Sequence, residues 1–498
     1  MNWSEVWDVT KIVWRYILQT LIVFDIIFAL IAIFFERKNP KSVWAWILVM
    51  MALPYVGFVL YLLAGTTLNK RRMFRDKGFE DMLKNRIHEQ NLELERLKAK
   101  QELPKELYDF RSLLHYNLHS SYAVLSDNND VDVFTSGQDK FSALKEDLRS
   151  AKKFIDFQYY IIRNDELFED ILKILKEKVD EGVEVRVLYD GLGARSTPRR
   201  YWKKVQKMGI KVGGFWPAWF GKINFRVNYR DHRKIVVIDN RVAYVGGFNI
   251  GREYIDMEEK FGHWRDTHLR ITGDAAYMLH GRFALDWAYV TGEKLFDRED
   301  MWQPGTATLP KHESRDNCHI QIVSSGPDSE MQQIRDNYLY LISHAKKTIY
   351  IQSPYFIPDD SILNALKLAA LSGIDVRIMI PCKPDHPFVY WATHCFAGEL
   401  VEAGATCYKY EGGFLHAKGL IADEEVYTYG TANMDIRSFA LDFEVNAVIY
   451  DKKKAKEMTE IFINDVKECS VMTKEDYKNR KIYIRFKEQI SRLLAPVL

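Results

Sequence analysis

The segments HRKIVVID (232–239) and HAKGLIAD (416–423) both fit His-x-Lys-x-x-x-x-Asp, and no other feature limits the fold so strongly. The chain has 13 histidines. With Lys and Asp each about one residue in fifteen, chance supplies one such match about 0.06 times and two roughly 0.004 times. The copies also agree downstream. Gly246 and Asn249 follow His232 at the intervals at which Gly430 and Asn433 follow His416. The chain is a duplication, and each copy must fold to the same plan.

The flanking pattern says what that plan is. KKFIDFQYYII (152–162) reads as a strand, and ELFEDILKILKEKVDEG (166–182) has apolar residues at helical spacing and stops on Gly182. VEVRVLYDG (183–191) returns as a strand. The second half repeats this with KKTIYIQSPYFI (346–357), SILNALKLAALSG (361–373) and IDVRIMIP (374–381). Strand–helix–strand units imply a sheet covered by helices. Two α/β domains are therefore expected, about 126–310 and 311–498, joined near QPGTATLPKHESRDN. Residues 66–125, rich in Lys, Glu and Leu, read as a charged helical linker close to a membrane surface.

Side chains alternate along a strand, so His232 and Lys234 share a face while Arg233 points the other way. His416 and Lys418 do likewise. Asp239 and Asp423 complete the motifs but stand at an odd offset, where the chain reverses, and read as turn groups before catalytic ones. Ile235, Val236, Val237 and Ile238, like Leu420 and Ile421, suit a strand buried on both faces. Two such strands meeting about a pseudo-twofold axis form a cleft with two imidazoles, and that cleft suits a phosphodiester. Lys234 and Lys418 balance the phosphate charge, and Asn249 and Asn433 donate to its oxygens. One histidine attacks phosphorus, and the other protonates the leaving alkoxide and later deprotonates an acceptor. An ammonium beside each imidazole repels a cation, which argues against a metal. A net charge of +2 without a basic stripe argues against nucleic acid. The five scattered cysteines, with no C-x-x-C, argue against disulfides and a zinc site.

The amino terminus differs. Residues 16–35 and 43–64 are apolar runs, each long enough for the roughly 30 Å hydrocarbon layer, and they read as two transmembrane helices. Their flanks carry Lys11, Arg15, Lys70, Arg71, Arg72, Arg75 and Lys77, against Arg37, Lys38 and Lys41 in the turn between them. The positive-inside rule then places the larger part of the chain in the cytoplasm. Asp25, within the first run, reads as a helix-contact residue.

The duplicated motif resembles the phospholipase D superfamily, and within it bacterial cardiolipin synthases. GGFNIGREY (246–254), WRDTHLRITG (264–273), SPYFIPDD (353–360), EGGFLHAKGLIAD (411–423) and YGTANMDIRSFALDFEVNAVIYD (429–451) look like that family's blocks. The resemblance implies two pseudo-symmetric phospholipase D-like α/β/α sandwich domains preceded by two transmembrane helices in the bacterial plasma membrane. It implies transfer of a phosphatidyl group from one phosphatidylglycerol to another, giving cardiolipin and glycerol without cofactor or metal. His232 is then the nucleophile and His416 the general acid and base. The family also orients each histidine with a downstream carboxylate. Glu444 is expected to serve His416, and Asp266 to serve His232. Asp442 stands where the family more often has Asn, which bears on acceptor preference. Both motifs lie on one chain, so an oligomer is not required to build the site.

A hydrolytic phospholipase D, another phosphatidyltransferase, a nuclease and a silent membrane scaffold are the competing readings. Two further segments bear on lipid. RSTPRRYWKKVQKMG (195–209), capped by Thr197 with Pro198 at its first helical position, is a basic helix that either holds anionic headgroups or is merely solvated. FWPAWF (215–220) is aromatic enough for a lipid interface, and the closing RLLAPVL also suits lipid contact.

Overall fold

A computed structural model describes residues 3–35, 40–53, 56–57, 61, 87–97, 104–215, 229–298 and 314–495. It divides into two units, residues 1–71 with 218–229, and residues 72–217 with 230–498. In the first, a helix runs unbroken over Trp3–Phe35 and a second over Pro40–Ala52. Ile12, Trp14, Ile22, Ile26 and Leu30 are exposed along it. Among the described residues no helix is long and apolar enough to cross a membrane. Several side chains of 16–35, Asp25 among them, lie outside the described set.

The second unit is the duplication made visible. Strands β1 (Leu125–Phe134), β2 (Phe154–Tyr159), β3 (Glu184–Asp190), β4 (Lys211–Phe215), β5 (Ile235–Ile238), β6 (Val242–Gly246) and β7 (His268–Thr272) lie in the order β4-β3-β2-β5-β6-β7-β1. The second half has β8 (Cys318–Ser325), β9 (Thr348–Gln352), β10 (Asp375–Pro381), β11 (Thr406–Tyr410), β12 (Gly419–Ala422), β13 (Val426–Gly430) and β14 (Asp442–Tyr450). These run β11-β10-β9-β12-β13-β14-β8, the same order strand for strand, with β15 (Cys469–Met472) added beside β11. Helical crossovers make β2, β3 and β4 parallel, and the hairpin β5–β6 is antiparallel. Strand β1 joins the halves, its Asp130–Phe134 segment pairing with β7 and its Leu125–Asn129 segment with β8.

The alternation along β5 builds the layers. Val236 and Ile238 pack with Leu167, Phe168, Ile171 and Leu175 of helix Glu166–Asp180. Ile235 and Val237 pack on the other side with Leu279 and Phe283 of helix Asp274–Thr291. Each such buried side chain contributes roughly 1.5–3 kcal/mol. Helix Glu166–Asp180 is capped by the Asp165 carboxylate, and its exit turns at Gly182 with φ of 91°, a conformation that favours glycine.

Two expectations change in detail. Lys105–Tyr108 and Arg111–Ser121 are helices, but Leu107, Leu113 and Leu114 belong to the core of the second half, so this stretch packs as part of the body. The basic helix spans Arg199–Lys207, and Thr197 does not cap it. Its hydroxyl instead donates to the Ile162 carbonyl at 2.7 Å, a buried acceptor that competes better than the exposed helix start. Of FWPAWF only Phe215 is described; it is buried against the Phe443 ring. The remainder, like the last three residues of RLLAPVL, lies outside the described residues.

Candidate active site

The motif aspartates hold the hairpins. Asp239 takes φ of 54°, and its carboxylate accepts from the backbone N–H groups of Lys152, Lys153 and Phe154 at 2.8, 2.8 and 2.9 Å. Asp423, with φ of 56°, accepts from Lys346, Lys347 and Thr348 at 2.7, 2.7 and 2.9 Å. Each aspartate thus ties a hairpin to the start of the neighbouring strand. The turn reading holds, and neither carboxylate is turned toward the histidines.

Each histidine is seated on the other half of the molecule. The His232 amide donates to the Phe443 carbonyl at 3.0 Å, where Arg230–Asp231 pairs with Asp442–Phe443. The His416 amide donates to the Arg265 carbonyl at 2.7 Å, where Gly413–Leu415 pairs with His263–Arg265. The next residue along each of these partner segments is the carboxylate. His232 Nδ1 therefore lies 2.8 Å from Glu444 Oε1, and His416 Nδ1 lies 2.6 Å from Asp266 Oδ2. This corrects the expected pairing. Both carboxylates were found, but each serves the histidine of the opposite half, because the short parallel pairings put every histidine beside the other half's acid segment.

The immediate surroundings differ between the halves. A Cβ at Gly247 would fall 1.9 Å from Asp266 Oδ1, so the absence of a side chain there makes room for that carboxylate. The matching position is Thr431, whose hydroxyl donates to Glu444 Oε2 at 2.5 Å. The sequence signal for this difference is GGFN (246–249) against GTAN (430–433). Tyr160, also missed, presents its ring edge to His232 at 4.9 Å between centroids. Trp264 packs on His416 at 5.1 Å. The position matching Trp264 across the pseudo-twofold is Asp442, which ion-pairs with Arg437 at 3.4 Å and leaves its buried Oδ1 without a hydrogen-bond partner. Both histidines thus meet an aromatic ring, but one half has a carboxyl at Asp442 where the other has the Trp264 indole.

Burial sets the electrostatics. It depresses His232 well below the usual imidazole range, with Lys234 adding to the effect and Asp442 opposing it. His416 is pressed down to about 4 by burial and then Lys418, against the upward pull of Asp266. Lys418 and His416 also act on His232, so the two motifs share one site. Burial pushes Lys234 down to about 7 and Lys418 to about 8. The acids diverge. Burial drives Glu444 up to about 8 despite Lys234. Burial also works against Asp266, yet Lys418 and His416 hold it below the ordinary carboxylate range.

The two lysines donate to the carbonyls of their own histidines, Lys234 at 2.7 Å. Asn249 accepts from the Ile161 amide at 3.1 Å and donates to the Tyr254 hydroxyl at 3.1 Å. Asn433 donates to the Ser438 hydroxyl at 3.3 Å. Arg233, on the opposite face as expected, is buried in a two-pronged ion pair with Asp286 at 2.7 and 2.8 Å.

Comparison with known proteins gives the family. Residues 144–263 and 338–466 match the family described as cardiolipin synthase, PLD-like domain, and residues 23–65 match the phospholipase D-nuclease N-terminal family. A cardiolipin synthase of Oceanobacillus iheyensis is 46% identical over 96% of this chain and 98% of its own length. The chain belongs to the cardiolipin synthase family of phospholipase D-like proteins. The major cardiolipin synthase of Bacillus subtilis is 44% identical over 97% of this chain and 99% of its own. Among solved structures, the phosphatidylserine synthase of Haemophilus influenzae has the same fold, with a TM-score of 0.58 and 18% identity. That match covers 79% of this chain and all of the other.

Proposed function

We propose that the chain makes cardiolipin from two molecules of phosphatidylglycerol through a phosphohistidine, at the cytoplasmic face of the bacterial membrane. The crossed histidine–carboxylate pairs carry this reading, since each fixes an Nδ1 and leaves an Nε2 for a phosphodiester between them. His232 Nε2 attacks phosphorus and the bond from phosphorus to the glycerol oxygen breaks. His416, charged to imidazolium by the bound anionic phosphodiester together with Asp266, gives its proton to that oxygen, and glycerol leaves. His416 then takes the proton of the second phosphatidylglycerol's hydroxyl, whose oxygen displaces His232 from phosphorus. The roles follow the asymmetry of the acids. Ionised Asp266 favours the charged form of His416, while the largely neutral Glu444 suits a His232 that must be uncharged to attack.

Lys234, Lys418, Asn249 and Asn433 hold the phosphate oxygens, each lysine and amide retaining N–H groups beyond those used within the protein. The apolar runs 16–35 and 43–64 anchor the chain. The family match over 23–65 supports the anchor.

Purified protein given phosphatidylglycerol labelled in its phosphate tests the reading. Cardiolipin with free glycerol is the expected product, and phosphatidic acid alone would mean hydrolysis. His416→Ala should lose on the order of 10²–10⁴ in turnover and accumulate label on His232, whereas His232→Ala should take up none. Label trapped in His232→Ala would reverse the roles.

A further inference from the structure

Helix Ile482–Leu493 is amphipathic in the reverse of the usual sense. A helix on a soluble body turns its apolar stripe inward, but here the buried residues are Glu488 and Ser491. The side packed on helix Pro387–Ala403 includes Gln489 near the Cys395 sulfur and Arg492 on Glu399. The outward face carries Ile482, Phe486 and Leu493, exposed by 79, 68 and 77%, with Tyr483 and Ile490 beside them. Phe388 adds to the apolar surface from the neighbouring helix, at 52% exposure.

The charges are placed to match. From Lys478 to Leu493 the basic residues are Lys478, Arg480, Lys481, Arg485, Lys487 and Arg492, and Glu488 is the sole acid. Glu488 is turned inward and bonded by Arg480 at 2.5 Å. At 3.6 residues per turn, Lys487 falls on one edge of the apolar face and Arg485 on the other, while Lys481 stands at the helix start. All three are exposed. Long basic side chains at the edges of an apolar face can reach lipid phosphates while that face enters the acyl boundary. A second copy of the chain is a poor occupant, because a twofold contact would set this cationic rim against itself.

We propose that helix Ile482–Leu493 lies in the interface of a bilayer containing anionic phospholipid, with Ile482, Phe486 and Leu493 in the acyl boundary and Lys481, Arg485 and Lys487 on headgroup phosphates. This gives the second half a lipid contact of its own, apart from the amino-terminal anchor. It does not depend on the chemistry at the histidines.

The test uses the full chain carrying His232→Ala, which keeps lipid composition constant, and Phe486→Cys labelled with an environment-sensitive fluorophore. The same chain without Phe486→Cys, treated identically, corrects for label on native cysteines. In vesicles of phosphatidylcholine with phosphatidylglycerol, the probe should shift to the blue and be quenched by lipids brominated high on the acyl chain. It should also lose accessibility to iodide several-fold. Phosphatidylcholine alone, or Lys481→Glu with Arg485→Glu and Lys487→Glu, should return it to water. A probe equally open to iodide in both vesicles would overturn the proposal. So would protection that rises with the protein-to-lipid ratio and is indifferent to phosphatidylglycerol, which would identify a second copy.

Discussion

The two carboxylates that orient the histidines are chemically similar but electrostatically unlike. Asp266 is held ionised by Lys418 and His416, whereas burial drives Glu444 up to about 8. Asp266→Asn therefore removes a charge that His416 depends on, and kcat should fall on the order of 10²–10⁴ at all working pH values. Glu444→Gln should cost less below pH 8, where the native group is mostly neutral, and progressively more above it. Parallel pH–rate profiles of the two variants check this, and equal losses at every pH would contradict it. Stability gives an independent sign. A carboxyl raised from 4.5 to about 8 binds more protons folded than unfolded across that window. Its contribution is complete at low pH and is lost as pH rises through the window. The denaturation midpoint of the native chain, relative to Glu444→Gln, should accordingly fall between about pH 5 and about pH 8.5. The motif aspartates should matter for stability and not for turnover. Asp239→Ala or Asp423→Ala strips a carboxylate from three backbone donors. Each should lose about 2–4 kcal/mol of stability while the folded fraction keeps near-native kcat, as active-site titration with trapped label would show.

At the scale of elements, the loop after each hairpin decides which acid fits. Gly247→Ala would drive a methyl group into Asp266, so turnover should drop by roughly 10² or more with little change in melting temperature. Thr431→Ala deletes one donor to Glu444 and should cost only about 1–2 kcal/mol of transition-state stabilisation. Steady-state kinetics of the two variants compare the effects directly. The elements themselves were legible. The apolar runs read as strands became β2, β3, β9 and β10, and the 3.6-residue pattern became helices Glu166–Asp180 and Asp360–Leu371. Alternation grouped His232 with Lys234 and His416 with Lys418, but all four lie in the short links just before β5 and β12 and not on the strands expected of them. The pairing of acid with histidine was not legible, because it rests on contacts between segments far apart in sequence. Arg230–Asp231 meets Asp442–Phe443, and His263–Arg265 meets Gly413–Leu415. No local period encodes such a meeting. Thr197 was missed for the same reason, its acceptor at Ile162 being distant in sequence.

For the whole molecule, the crossed pairing means that neither half owns a complete site. The seam between halves is a sheet contact in which β1 bridges β7 and β8. The buried Asn129 side chain donates to Ser126 and to the Cys318 carbonyl, and accepts from the Ala275 amide. Nearby, Asn117 of helix Arg111–Ser121 bonds Gln321 on β8 and Asn337, both buried. A seam of paired backbone and satisfied buried amides couples the halves strongly, since breaking it strands several donors at once. Denaturant should therefore unfold residues 72–498 in one transition, with fluorescence and far-ultraviolet circular dichroism coincident. Asn129→Ala, which leaves the Ala275 amide and the Cys318 carbonyl unpaired, should lower the midpoint by about 2–4 kcal/mol of stability and act on both halves together. Two separated transitions, or hydrogen exchange that opens β2–β3 without β9–β10, would show that the halves fold independently and that the active site is assembled only afterwards.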